Sequence, residues 1–193
     1  KEKTIKATRG TIYDRNGKVL AQDKLAYSVT IEDNYDSTSA KDMEINNTIV
    51  RLIKIIEKNG DKVNNDFDVI LDDNGNYSYA VTDTALLRFL ADCYGRSSSD
   101  KLLLKEKNAT PDELVSYLCG KKMFGIGKYT LKSDGTYSFE PEAGYSKAEI
   151  LKILTIRYAL NSNSYQKYIA STVATDVNEN TVAEVMENKD TLQ

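Results

Sequence analysis

The residue types that do chemistry are thinly spread along this chain, and the commonest of them is absent. There is no His, which removes the usual general base and the usual metal ligand together. Ser-x-x-Lys occurs twice, as Ser98-Ser99-Asp100-Lys101 and Ser164-Tyr165-Gln166-Lys167. That spacing can carry an acylated Ser and a Lys that helps activate it. Its companions, Ser-x-Asn and Lys-Thr-Gly or Lys-Ser-Gly, occur nowhere in the chain. Both copies therefore read as chance matches, the first in a polar loop and the second in a strand. Asp66, Asp68, Asp72 and Asp73 do not follow the Gly and Glu spacing of a calcium loop and read as solvated turn residues. Cys93 and Cys119 have no second Cys or His at ligand spacing, which argues against zinc. Two buried thiols are the expectation, because free Cys is often buried; a disulfide is the minority reading and would need an oxidising compartment. Gly125-Ile126-Gly127 lacks the third Gly of a dinucleotide fingerprint, and Lys121-Lys122 is too short a run to imply a polyanion. No catalytic residue, metal ligand or cofactor is assigned.

These residues belong to a chain of 193 residues, 40% hydrophobic, with a net charge of -3. The length suits one domain, or one domain with a sizeable insertion, and the apolar content suffices for a core. Interspersed charges of both signs argue against a nucleic-acid partner and against an anionic membrane surface. Thirteen Tyr against four Phe and no Trp suggests rings with one wet edge, on strands or contact surfaces. No apolar run approaches the ~20 residues of a membrane span. Lys1-Glu2-Lys3-Thr4 opens the chain without Met, so a piece of a longer protein is expected.

The elements that must position these residues follow from hydrophobic spacing. Tyr27, Val29 and Ile31 alternate with Ser28, Thr30 and Glu32, a strand with one dry face. Ile45, Ile49, Leu52, Ile53 and Ile56 mark one face of a helix over about 41–59, with Gly60 at its C-terminal cap. Phe67–Leu71 and Tyr77–Val81 flank a turn at Asp72–Asn76, and Asp83 opens a short helix that stops at Gly95. Leu102, Leu103 and Leu104 read as core or as contact surface, core being the favoured reading. Thr110 with Glu113 and Ser146 with Glu149 are capping boxes that open two further helices, separated by a hairpin around Ser133-Asp134-Gly135. A strand over Tyr165–Ala174 and a helix over about 178–188 complete an α+β pattern. The strand-rich ends, 1–33 and 162–193, are expected to pair as a base, with 34–161 as a largely helical inserted head.

One segment is more specific than the rest. Arg9-Gly10-Thr11-Ile12-Tyr13-Asp14-Arg15-Asn16-Gly17-Lys18-Val19-Leu20-Ala21 reads as strand, tight turn and strand, with Arg9, Asp14 and Arg15 placed to pair across the turn. Taken whole, it resembles the first motif of class B penicillin-binding proteins, Arg-Gly-x-Ile-x-Asp-Arg-x-Gly-x-x-Leu-Ala, and every specified position is met. Ile156–Leu160, Ser164–Tyr168 and Thr181–Asn188 look like the end of the same family's dimerisation-type pedestal. The likeness is loose from Asn34 to about Tyr145.

The resemblance implies a non-catalytic pedestal on the extracytoplasmic face of the bacterial membrane. A single-pass anchor and a serine-type D,D-transpeptidase domain would both lie outside this sequence. Arg9, Gly10, Asp14, Arg15 and Gly17 would be structural, tying the base together and buttressing the catalytic domain. Implied partners are that transpeptidase domain, a membrane glycosyltransferase, cell-wall scaffold proteins and a second copy as a homodimer, with no nucleic acid. A free-standing extracytoplasmic ligand-binding module is the alternative, and a small carboxylate hydrolase is the weakest reading because no paired acidic motif stands out.

Overall fold

The computed structural model describes residues 11–21, 26–35, 40–162 and 169–192. In chain order they form β1 (Ile12–Tyr13), β2 (Val19–Ala21), β3 (Tyr27–Ile31), α1 (Lys41–Lys58), β4 (Val69–Leu71), β5 (Tyr77–Tyr79), α2 (Asp83–Cys93), α3 (Leu104–Lys107), α4 (Pro111–Cys119), β6 (Gly127–Leu131), β7 (Tyr137–Pro141), α5 (Lys147–Ser162), β8 (Ser171–Val177) and α6 (Glu179–Glu187). The strands form small antiparallel two-stranded sheets, β1–β2, β3–β8, β4–β5 and β6–β7. The fold is α+β, as its sequence pattern implies.

Local chemistry explains most boundaries. α1 buries Ile45, Ile49, Leu52, Ile53 and Ile56, the face its spacing predicts. Past its end the Gly60 amide donates to the Glu57 carbonyl and that of Asp61 to Ile56, the paired closure that needs a left-handed residue between helix and loop. The Thr110 hydroxyl accepts from the Glu113 amide while the Glu113 carboxylate accepts from the Thr110 amide. Ser146 and Glu149 repeat that exchange at the start of α5. α5 buries Ile150, Leu151, Ile153, Leu154 and Ile156, and Thr155 and Arg157 with them, so its middle turns are covered on nearly every side.

A single turn design recurs in two hairpins. In Asp14–Lys18 the Asp14 carboxylate accepts from the amides of Asn16 and Lys18, both at 2.8 Å. In Asp72–Asn76 the Asp72 carboxylate accepts in the same way from Asn74 and Asn76. Gly17 and Gly75 take the left-handed position in each, at φ +81° and +76°.

The strand near the C-terminus departs from expectation. It runs over Ser171–Val177, later than the Tyr165–Ala174 read from the sequence; Tyr165–Tyr168 lie outside the described residues. Its pairing with β3 skips Asp176 and Val173, two bulges that advance β8 by an extra residue each. Asp176 adopts φ +52°. The bulges spoil the period-two alternation, so the polar pair Thr175-Asp176 reads as a strand end when it is the strand's interior. Leu102–Leu104 departs in part from the favoured reading as core: Leu102 is buried, but Leu103 and Leu104 are exposed at 49% and 77%, because α3 turns there and presents them outward. Ser99–Lys101, read as loop, forms a short 3-10 turn.

Among the described residues the buried apolar cluster is continuous. It reaches from Val29 and Val173 through Ile49, Ile56 and Ile153 to Leu114, Leu118 and Ile126. It therefore crosses the positions at which base and head were expected to divide. Phe67 meets Phe89 and Tyr158 edge to face, at centroid distances of 5.2 and 5.5 Å, joining the segment before β4 to α2 and α5.

Candidate functional site

The motif-bearing hairpin is the first candidate. Asp14, Arg15 and Gly17 lie in its turn; Arg9 and Gly10 lie outside the described residues. Asp14 spends its carboxylate on the two turn amides, and Arg15 makes no ion pair among the described residues. β1 and β2 pair Ile12 with Ala21 and Tyr13 with Val19, leaving Leu20 as the extra residue of a bulge. The two-stranded ribbon exposes apolar side chains: Ile12, Tyr13, Val19 and Leu20 are all well exposed. An isolated pair of strands is marginal in water, so these residues form a surface suited to burial against another body.

A second constellation was not read from the sequence. Arg157, on α5, is buried and donates from Nη2 to Asp42 of α1 at 2.6 Å. Its guanidinium lies 5.2 Å from the centroid of the Phe124 ring. Asn46, one turn after Asp42, is also buried and donates to the carbonyls of Phe124 and Gly125, both at 2.9 Å. The Tyr129 hydroxyl donates to the same Gly125 carbonyl. Gly125 has φ +56°, and a Cβ there would stand 2.4 Å from the Tyr129 hydroxyl and 2.9 Å from Asp42 Cβ, so no larger residue fits. The node ties α1, α5 and the loop before β6 together. Its one sign in the sequence is Arg157 itself, a charge on a helix otherwise spaced for burial; nothing there points to its partners.

Among the described residues these geometries do not assemble a nucleophile with a base. Cys93 and Cys119 are buried free thiols. Burial, with Asp92 and Asp68 adding to it, raises the Cys93 pKa far above the ordinary thiol value. Burial, then the Glu142 charge, pushes that of Cys119 up to about 12. Both thiols stay protonated and unreactive at neutral pH. In the Ser98–Lys101 segment Lys101 lies 3.7 Å from the Asp100 carboxylate, with both side chains exposed; Ser164 and Lys167 lie outside the described residues. Asp72 serves its turn, and among the described residues no three His, Cys, Asp or Glu side chains converge on a metal position. No helix among them is long and apolar enough to cross a membrane.

α6 is fastened along α1 by polar contacts. Glu184 accepts from Lys58 at 2.7 Å and from Asn59 at 2.8 Å, and Arg51 donates to the Thr191 carbonyl at 2.9 Å. Asp61 accepts from the Thr181 hydroxyl and the Asn178 amide. Between α6 and β3 an open groove of about 890 Å³ remains. The family model of the penicillin-binding protein dimerisation domain matches residues 4–193 of this chain.

Proposed function

Because the chain belongs to the penicillin-binding protein dimerisation domain family, we propose that it is the non-catalytic pedestal of a class B penicillin-binding protein. It holds a serine-type D,D-transpeptidase domain off the outer face of the bacterial membrane and offers surfaces to cell-wall synthesis partners. Those partners are a membrane glycosyltransferase, scaffold proteins of elongation or division, and a second copy of the chain. The observation that carries this reading is the family match, which spans the Arg9–Ala21 motif and reaches the end of the chain. The exposed apolar side chains of the β1–β2 ribbon support it, as a face for a neighbouring catalytic domain. Arg9, Gly10, Asp14, Arg15 and Gly17 then act by shaping that face.

A fluorescent penicillin tests the division of labour. The 193-residue chain is expected to take up no covalent label, and the longer protein is expected to be labelled on its catalytic Ser. Stoichiometric labelling of the 193-residue chain would overturn the reading.

A further inference from the structure

Among the described residues β3 is paired on one edge only, by β8. Its other edge borders the groove, and five consecutive residues, Ser28 to Glu32, line it. Main chain as well as side chains therefore faces the space. Leu52 of α1 lines the groove from below, and Val182, Val185 and Met186 of α6 line it opposite β3. Met186 is 64% exposed. An unpaired backbone edge beside an apolar wall is what an added β-strand satisfies: its peptide groups pair with the edge while alternate side chains cover the wall.

The direction of such a strand follows from the contacts around it. Tyr35, just past β3, hydrogen-bonds Thr48, while Tyr27 at the start of β3 pairs with Val177, next to the Asn178 that bonds Asn59. α1 is thus antiparallel to β3. Glu184 meets Lys58 and Thr191 meets Arg51, so α6 is antiparallel to α1 and runs the same way as β3. Leu192, which also lines the groove, stands toward the end of it where β3 finishes. Polypeptide leaving Leu192 along β3 runs antiparallel to β3 and parallel to β8, with α6 as the crossover that parallel strands require.

We propose that the groove is the slot of a third strand, and that its occupant is the polypeptide following Gln193 in the longer protein. This rests on the pedestal reading, which supplies that longer protein. The slot matches the five residues of β3, about 17 Å of extended chain. Its occupant alternates apolar residues, set toward Leu52 and Val185, with polar ones on the side where Ser28 and Thr30 are exposed.

Hydrogen exchange on the longer protein and on the 193-residue chain tests this, with the β8 amides that bond β3 as the internal reference. The β3 amides not bonded to β8 are expected to be protected in the longer protein and to exchange readily in the shorter chain. In the longer protein, Met186→Glu is expected to strip that protection while leaving β8 protected. Edge amides that exchange freely in the wild-type longer protein would overturn the slot, as would protection untouched by Met186→Glu. Protection that rises with concentration in the 193-residue chain would give the groove to a second copy instead. Penicillin labelling of the longer protein reports on the pedestal reading separately, so an unprotected β3 in a labelled protein refutes the slot alone.

Discussion

At Arg157 a full charge sits on the buried side of α5, with Asp42 as its partner and the Phe124 ring against it. Removing one member of such a pair strands the other. Arg157→Leu is expected to destabilise the chain by about 2–3 kcal/mol, somewhat less than a fully buried pair because Asp42 is part exposed. A urea midpoint matching the wild type would refute this. Gly17 behaves differently. Its φ of +81° makes Ala there cost about 1–2 kcal/mol locally, yet the ribbon around it is exposed. Gly17→Ala is therefore expected to speed amide exchange at Lys18 without moving the melting temperature of the whole chain. The Asp14–Gly17 turn was legible because Asp, Asn and Gly at fixed offsets carry their own conformation. The Arg157 node was not, because its partners come from three elements far apart in sequence.

Helices and hairpins were the most legible scale. The capping boxes at Thr110 and Ser146 hold as written, and Thr110→Ala is expected to cost about 1 kcal/mol. Their carboxylates add a pH signature. Hydrogen bonds from the Thr110 amide and hydroxyl hold Glu113 below the ordinary carboxyl value, and those from Ser146 do the same for Glu149. A folded pKa below the unfolded one stabilises above the unfolded value of about 4.5, and the benefit is lost as pH falls through the folded value. Stability should hold from neutral pH to about 4.5 and then decline. The decline should be shallower in Glu113→Gln, as urea midpoints across that range would reveal; an identical decline would remove Glu113 from the account. β8 was misplaced by its bulges, which no local propensity encodes, and α3 was overlooked because four residues form it.

For the whole molecule, the meeting of β3 with β8 joins segments near opposite ends of the chain, and hydrophobic alternation alone suggests it without setting its register. Deleting Thr172–Gln193 takes Val173, Ala174 and Val177 out of the core and leaves β3 with only Ser171, opposite Ile31, of its β8 partners. Against a total stability of roughly 5–15 kcal/mol, that loss is expected to abolish protection of the Val29 amide. Unchanged exchange at Val29 after the deletion would show that β3 is held by α1 alone. Ile49 and Ile56 of α1 belong to the same buried cluster as Val29, Val173 and Leu118, so packing links the segments expected as base and head.

Tyr27 and Val177 meet at the same end of the β3–β8 ladder. Tension applied to the chain before β3 reaches that ladder at Tyr27. Tension applied beyond α6 reaches it at Val177 once the fastenings of α6 to α1 yield. Loaded in this way, the strands peel rung by rung from Tyr27 toward Ile31 instead of sliding past one another, a geometry of low mechanical resistance and ready re-closure. The residues between the two strands lie within the closed loop, off the direct line of force. Pulled at its two ends, the chain would give first at α6 and then at this clasp, and keep its interior intact.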